Sequence, residues 1–142
     1  MSGYTVAELE RKLANLLRIA TVTDVDPANA RVKVTFGGET ESGWLPFAVG
    51  RAGGARIWSP PVAGEQVTVL SPGGDTTRAV VTGSLPSSNF PSPSSDGAAH
   101  VITMGSVTVT LTDDSISVEI GGTSIVATAD SVAVNSARID LN

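Results

Sequence analysis

The chain has 142 residues and a formal charge of −5 that is unevenly distributed: residues 1–99 carry nine acidic and eight basic residues, whereas residues 100–142 carry five acidic residues and Arg138 as their single base. An acidic C-terminal segment argues against a nucleic-acid-binding tail, because phosphate binding requires clustered Lys and Arg. The chain has no cysteine, which excludes disulfides and thiolate chemistry, and no apolar run approaches the roughly 18 residues of a transmembrane helix.

Residues 1–17 predict an N-terminal helical arm. Thr5 and Glu8 have the spacing of a capping box, which would start the helix at Thr5. One face then carries an aliphatic stripe that consists of Val6, Leu9, Leu13, Leu16 and Leu17. Two interpretations remain open: the helix packs on its own domain, or it docks on a partner through Val6, Leu9, Leu13 and Leu16, because so short a helix is marginal without tertiary contacts. The acidic residues of this segment are unlike a signal peptide, so we expect a soluble protein made in the cytoplasm.

Residues 18–86 have the pattern of a small β domain. Residues 19–25 and 31–36 flank a Pro- and Asn-containing turn and predict a hairpin. Residues 66–70 and 78–83 flank a Pro/Gly-rich turn and predict a second hairpin.

The stretch between the two hairpins supplies the bulky side chains. We expect Trp44, Phe47 and Trp58 to form the core of the domain. Several short strands with one helix predict a five-stranded barrel of the OB type, although an SH3-like barrel would give the same periodicity.

A Pro/Ser-rich linker, residues 87–99, leads to a repetitive β segment, residues 100–142. In this segment aliphatic residues alternate with Ser, Thr and Glu, and each block ends in a turn. The alternating aliphatic positions are Val107, Val109, Leu111, Ile116, Val118, Ile120, Ile125, Val132, Val134, Ile139 and Leu141.

Such a segment should not be stable as a single chain. A lone meander would leave one apolar face and two strand edges exposed, and strands this short are expected to pair poorly within one chain. We therefore expect neighbouring copies to wind about a common axis, with the aliphatic residues as the core and the Ser/Thr face as the wall. Three is the smallest number of copies that encloses a core symmetrically. The prediction is an all-β protein with an N-terminal helix, an OB-fold barrel and a C-terminal intertwined trimeric β-helix; the alternative is that the tail packs as a second sheet on the barrel.

Patterns for catalysis and metal binding are missing from the sequence. His100 is the single histidine, and no G-x-S-x-G elbow accompanies it. One His and no Cys cannot make a zinc or iron site within one chain, although three copies on an axis could converge. Arg51 and Arg56 are too sparse to form a basic groove for a single nucleic-acid strand. We therefore expect a structural protein and no enzyme.

Two stretches, 44–47 (WLPF) and 58–85 (WSPPVAGEQVTVLSPGGDTTRAVVTGSL), resemble the OB-fold domain of the phage baseplate assembly protein V family. That family supplies the central spikes of contractile tails and is related to the spike part of type VI secretion proteins. The resemblance covers about residues 15–142. It implies a homotrimer in the tail baseplate of a virion, with barrels under a ring-shaped hub protein and tails that form a needle. The needle would be driven mechanically through the outer membrane of the host.

One departure from the family concerns the apex. Family members often end in a His-x-His motif that gathers an iron ion on the three-fold axis, and residues 138–142 (RIDLN) lack it, so no cofactor is implied. An open rod end invites a cap, and we expect a separate tip protein that contacts Ile139, Leu141 and Asn142. Two other functions stay open: an oligonucleotide-binding OB module with an oligomerising tail, and an adhesive fibre piece that binds carbohydrate.

Overall fold

A computed structural model describes residues 3–142. The chain divides into two compact units, residues 1–91 and residues 92–142. Both units are built mainly from antiparallel strands, and the first also contains a short helix. Each unit is described by itself.

The first unit starts with α1 (Gly3–Leu16), which leads directly into β1 (Leu17–Asp26). Thr5 therefore lies within the helix and does not start it. Leu17, predicted as part of the helix, is the first residue of the strand. The β-branched residues that follow it, Ile19 to Val25, favour the extended conformation because their side chains fit a pleated surface.

Five strands form the sheet of the first unit: β1, β2 (Arg31–Thr35), β3 (Leu45–Pro46), β4 (Gln66–Leu70) and β5 (Val80–Leu85), in the order β3-β2-β1-β4-β5. The two predicted hairpins, β1–β2 and β4–β5, are confirmed. Phe47, just after β3, makes a parallel bridge to Val81 of β5, and the amide of Ala48 donates to the Val81 carbonyl at 2.8 Å. This bridge joins the two edges of the sheet, so the sheet closes into a barrel.

The barrel core is narrow and consists mostly of valine. Its buried residues are Ala20, Val22, Val32, Val34, Leu45, Phe47, Val67, Val69, Ala79 and Val81. Alternating positions of each strand supply these residues, because side chains i and i+2 share a face.

Two of the three predicted core aromatics lie outside this core. Phe47 is buried, but Trp44 is 44% exposed and Trp58 is 57% exposed. Since Leu45 and Phe47 take the inward positions around β3, the alternation of side chains turns Trp44 outward. Trp58 packs against Phe47 from the surface, with ring centroids 5.8 Å apart.

The second unit is a meander of five antiparallel strands in chain order: β6 (His100–Met104), β7 (Val107–Leu111), β8 (Ser115–Ile120), β9 (Thr123–Thr128) and β10 (Val132–Asn135). The expectation that these strands are too short to pair within one chain is wrong. Each strand pairs with the next along the chain. Short turns make this possible because closing a short loop costs little entropy, and Gly105 and Gly121 supply the positive φ, 58° at each, that two of these turns require. Strand exchange between copies is therefore not needed for strand pairing.

Candidate assembly surfaces

The sheet of the second unit has one predominantly aliphatic face. Strand register aligns the side chains of this face in three rows, two of which run across all five strands. The middle row consists of Ile102, Val109, Val118, Ile125 and Val134. We call this face the aliphatic face.

Two further rows flank the middle row. One contains His100, Leu111, Ile116, Ala127 and Val132, and the other contains Met104, Val107, Ile120 and Thr123. Ile102 and Met104, which sequence reasoning did not include, extend the face onto β6. The periodic signal that could have found them starts in β6 with the alternation of His100, Ile102 and Met104.

The aliphatic face has no cover within its own unit. Among residues 92–142 no residue is buried, and Ile102, Ile116 and Ile120 are 58%, 45% and 51% exposed. A sheet with an apolar face is stable when another layer covers that face. Taken by itself, this unit therefore leaves its strongest apolar feature uncovered.

The opposite face of the same sheet is mixed. It carries the polar residues Thr108, Thr110, Ser117, Glu119 and Ser124, as the alternation predicts. It also carries Val101, Val126 and Ala133, so it is less polar than the sequence pattern indicates. The two faces still differ in charge. No charged residue of the five strands lies on the aliphatic face, and Glu119 lies on the other face.

The outer strands β6 and β10 each have one side without a neighbouring strand in this five-stranded sheet. Unpaired edges of this kind can accept a strand from another chain. After β10 the chain forms no further strand, so Ile139 and Leu141 do not continue the aliphatic rows, and they are 55% and 91% exposed. Between them Asp140 pairs with Arg138 at 2.9 Å, and Asn142 is exposed.

The predicted docking stripe of α1 lies on the outside of the helix. Val6, Leu9, Leu13 and Leu16 are 44%, 47%, 69% and 38% exposed, and none of them joins the barrel core. Within Thr5–Leu16 the half-buried residues are Thr5, Glu8 and Asn15. The helix contacts its own unit through backbone near Ser71 and Gly74 and not through this stripe, and docking of the stripe on a partner stays a prediction.

A cavity of about 610 Å³ opens on the barrel beside Trp44, Phe36 and Arg18. Sequence reasoning missed two contacts here: the Arg18 guanidinium lies 3.7 Å from the centroid of Phe36, and Lys33 Nζ lies 4.9 Å from the centroid of Trp44. Such pairs form when the strand register brings a cation over a ring that lies far away in sequence. Glu41 also lines the cavity, so its walls carry both signs of charge.

The turn between β4 and β5 contains a carboxylate with a shifted pKa. Asp75 Oδ1 accepts hydrogen bonds from Thr77 Oγ1 at 2.6 Å and from the Thr77 amide at 3.0 Å. These bonds, with a smaller contribution from Arg78, hold the pKa of Asp75 below its usual value of 3.8. The ionised carboxylate thus stabilises the start of the 3-10 turn Thr76–Arg78.

Residues 3–142 contain no group of three or more His, Cys, Asp or Glu residues placed to hold a metal ion. His100 is exposed at the edge of the second sheet. Within the same described range, no helix has the length and apolar character needed to cross a membrane. The main surface features of the described residues are therefore the aliphatic face of the second unit and the stripe of α1.

Residues 18–85 match the family described as the type VI secretion system/phage-baseplate injector OB domain. Over 97 residues the chain is 37% identical to the spike protein of Escherichia phage P2. The aligned stretch covers 68% of this chain and 46% of that protein, so the chain spans about half the length of the curated relative.

Proposed function

Because the chain belongs, through residues 18–85, to the phage baseplate assembly protein V family, we propose that it is the structural central spike of a contractile phage tail baseplate or of a related tail-like particle. The P2 protein with which it shares 37% identity is named a spike protein. The role is mechanical and needs no catalytic group. We place the protein in the tail baseplate of the virion.

The observation that carries this proposal is the aliphatic face of the second unit. Five aliphatic residues in the middle row, from Ile102 to Val134, have no cover within their own unit. Copies of the same sheet can cover one another when three of them meet about an axis, because closed cyclic symmetry lets every copy bury the same surface. We therefore propose a homotrimer in which each chain contributes one wall of a triangular β prism.

A prism of this kind suits a needle. Each wall is already paired within its own chain, and the aliphatic faces meet in the interior, so the rod resists bending and separation. We propose that it docks on the baseplate hub protein and is pushed through the outer membrane of the host when the sheath contracts. The exposed side chains of Ile139 and Leu141 are the proposed contact for a separate tip protein.

The trimer is tested by native mass with a matched pair of variants on β8. Val118 lies on the aliphatic face and Ser117 on the opposite face, and both are half-buried in the single chain. The unmodified protein should have the mass of three 14.4 kDa chains, about 43 kDa. Val118→Asp places three carboxylates in the core and should yield single chains, whereas Ser117→Asp should remain trimeric. A well-folded single chain in the unmodified protein would overturn the proposal.

The mechanical role is tested in assembled particles. Particles assembled with Ser117→Asp should contract and release a periplasmic marker enzyme from host cells. Preparations made with Val118→Asp should release none, because that variant supplies single chains and no needle. Equal release by both would contradict a needle made from this sheet.

An oligonucleotide-binding OB module is the second candidate. The observation in its favour is the pair of cation–ring contacts, Arg18 with Phe36 and Lys33 with Trp44, because single-strand binding uses aromatic platforms next to cations. A salt-dependent shift of single-stranded DNA that Trp44→Ala abolishes would support this function. We favour the spike, since Glu41 shares the cavity and the net charge is −5.

A further inference from the structure

The orientation of α1 is the reverse of that expected for an amphipathic helix on its own domain. Such a helix normally turns its apolar stripe to the core. Here Glu8 and Asn15 are half-buried, while Leu9 and Leu13 are exposed. The helix therefore presents its apolar stripe away from the barrel to which it is attached.

Backbone contacts hold the helix in this orientation. The Ser71 amide donates to the Leu16 carbonyl at 2.9 Å. One turn of helix earlier, the backbone of Lys12 lies so close to Gly74 that a Cβ on Gly74 would be 2.5 Å from Lys12 Cα. To turn the stripe inward, the helix would have to rotate about its axis and break both contacts.

The spacing of the stripe is that of a coiled-coil seam. Val6, Leu9, Leu13 and Leu16 follow one another at intervals of three, four and three residues, which are the a and d positions of two heptads. Apart from alanine, Thr5–Leu16 contains no aliphatic residue outside these four positions. The stripe is therefore as narrow as a coiled-coil seam and narrower than the apolar face of a core helix. We propose that the α1 helices of neighbouring copies of this chain pack together along this seam.

The charges beside the seam fit copies of the same helix. Glu10 occupies the e margin and Lys12 the g margin. In parallel helices each g position faces the e position five residues later on the next helix, so neither Glu10 nor Lys12 faces a group of like charge across the seam. Two heptads are too short to associate alone, but chains that are already trimeric through their second units hold the helices at high effective concentration. The seam therefore rests on the proposed trimer.

Cysteine crosslinking of the full chain tests this seam, because the natural sequence has no cysteine. Leu13→Cys places a thiol at an a position, and Ala14→Cys places one at the next residue, which is exposed and lies off the seam. Both residues are exposed and neither belongs to the barrel core, so both variants should fold. On mild oxidation, Leu13→Cys should form about tenfold more disulfide-linked chain pairs than Ala14→Cys, since a disulfide requires Cα atoms within about 7 Å.

Native mass of both variants, measured before oxidation, separates the possible outcomes. A trimeric mass with efficient crosslinking of Leu13→Cys alone supports the seam. A trimeric mass with equally weak crosslinking of both variants overturns the seam and leaves the spike proposal intact. Crosslinking of Leu13→Cys to the hub protein within assembled baseplates has the same two consequences. The mass of a single chain overturns the trimer and the seam together.

Discussion

Gly74 and Lys12 approach each other so closely that no side chain fits between them. A Cβ on Gly74 would lie 2.5 Å from the Cα and 2.6 Å from the carbonyl oxygen of Lys12. Gly73, the preceding residue, has a similar positive φ, 63° against 73°, but a Cβ there would have no atom within 4 Å. A substitution at Gly73 therefore tests the energetic cost of a side chain at positive φ alone, whereas one at Gly74 adds the cost of a collision with the helix.

Gly74→Ala should release α1 from the barrel, and Gly73→Ala should not. Both substitutions place alanine at a left-handed φ, which costs about 1–2 kcal/mol of unfolding free energy. Gly74→Ala adds a backbone collision, so amide protons of residues 6–16 should lose their protection from hydrogen exchange in this variant only. Equal protection of the helix in both variants would show that Gly74 does not anchor α1.

Phe47→Ala should destabilise the barrel far more than Trp44→Ala. Phe47 is 9% exposed and its replacement leaves a cavity, which costs about 3–5 kcal/mol. Trp44 is 44% exposed, and its replacement removes mainly the contact with Lys33, about 0.5–1 kcal/mol. Urea unfolding measures both values. Similar losses would mean that Trp44 is covered in the folded protein, for example by another chain.

Thr23→Val should leave the unfolding free energy unchanged or raise it. Within residues 3–142, Thr23 Oγ1 is the buried side-chain oxygen or nitrogen that has no hydrogen-bond partner, and an apolar group of the same shape removes that penalty. Thr82 is the matched control because its Oγ1 lies 2.7 Å from Thr68 Oγ1. Thr82→Val should lower the unfolding free energy by about 0.5–1.5 kcal/mol. The idea fails if Thr23→Val costs as much as Thr82→Val.

Acid should weaken the turn between β4 and β5 through Asp75. The pKa of Asp75 is lower in the folded chain than its usual 3.8, chiefly because Thr77 donates to the ionised form. Its contribution is therefore fully present above the unfolded pKa and is lost as the pH falls through the folded pKa. Between pH 5 and pH 2, at constant ionic strength, the unfolding free energy of Asp75→Asn should fall less than that of the natural chain.

Glu39→Gln controls for the loss of one negative charge in the acid experiment. Glu39 is exposed, and its side chain makes no hydrogen bond or ion pair among the described residues. Its pH dependence should match that of the natural chain. The role of Asp75 would be contradicted if Asp75→Asn and Glu39→Gln gave the same dependence.

Local patterns predicted much of the fold because they depend on near neighbours in sequence. The hairpins around residues 27–29 and 71–79 followed from turn residues between β-branched runs. The family followed from the motif around Pro60 to Asp75, and the comparison with known domains confirms it. The aliphatic alternation of residues 107–134 also follows from sequence, since side chains two apart share a face whatever the partner strand.

The positions of Trp44 and Trp58 could not be predicted in the same way. Size and hydrophobicity suggested a core role, yet the direction of Trp44 depends on which residues of its own strand point into the barrel. The bridge from Phe47 to Val81 fixes that choice. The pairing is non-local, so no window of neighbouring residues contains it.

The sequence by itself determined which residues are aliphatic, where the two hairpins of the barrel lie, and that the last forty residues carry a one-sided pattern. Only the tertiary structure decided that Ile102 and Val134, at opposite edges of the sheet, belong to one continuous row, and that α1 turns Leu13 away from its own barrel. The physical reason is that composition and periodicity are properties of adjacent residues, whereas strand register and helix rotation are set by contacts such as Gly74 with Lys12, which join residues that are distant along the chain.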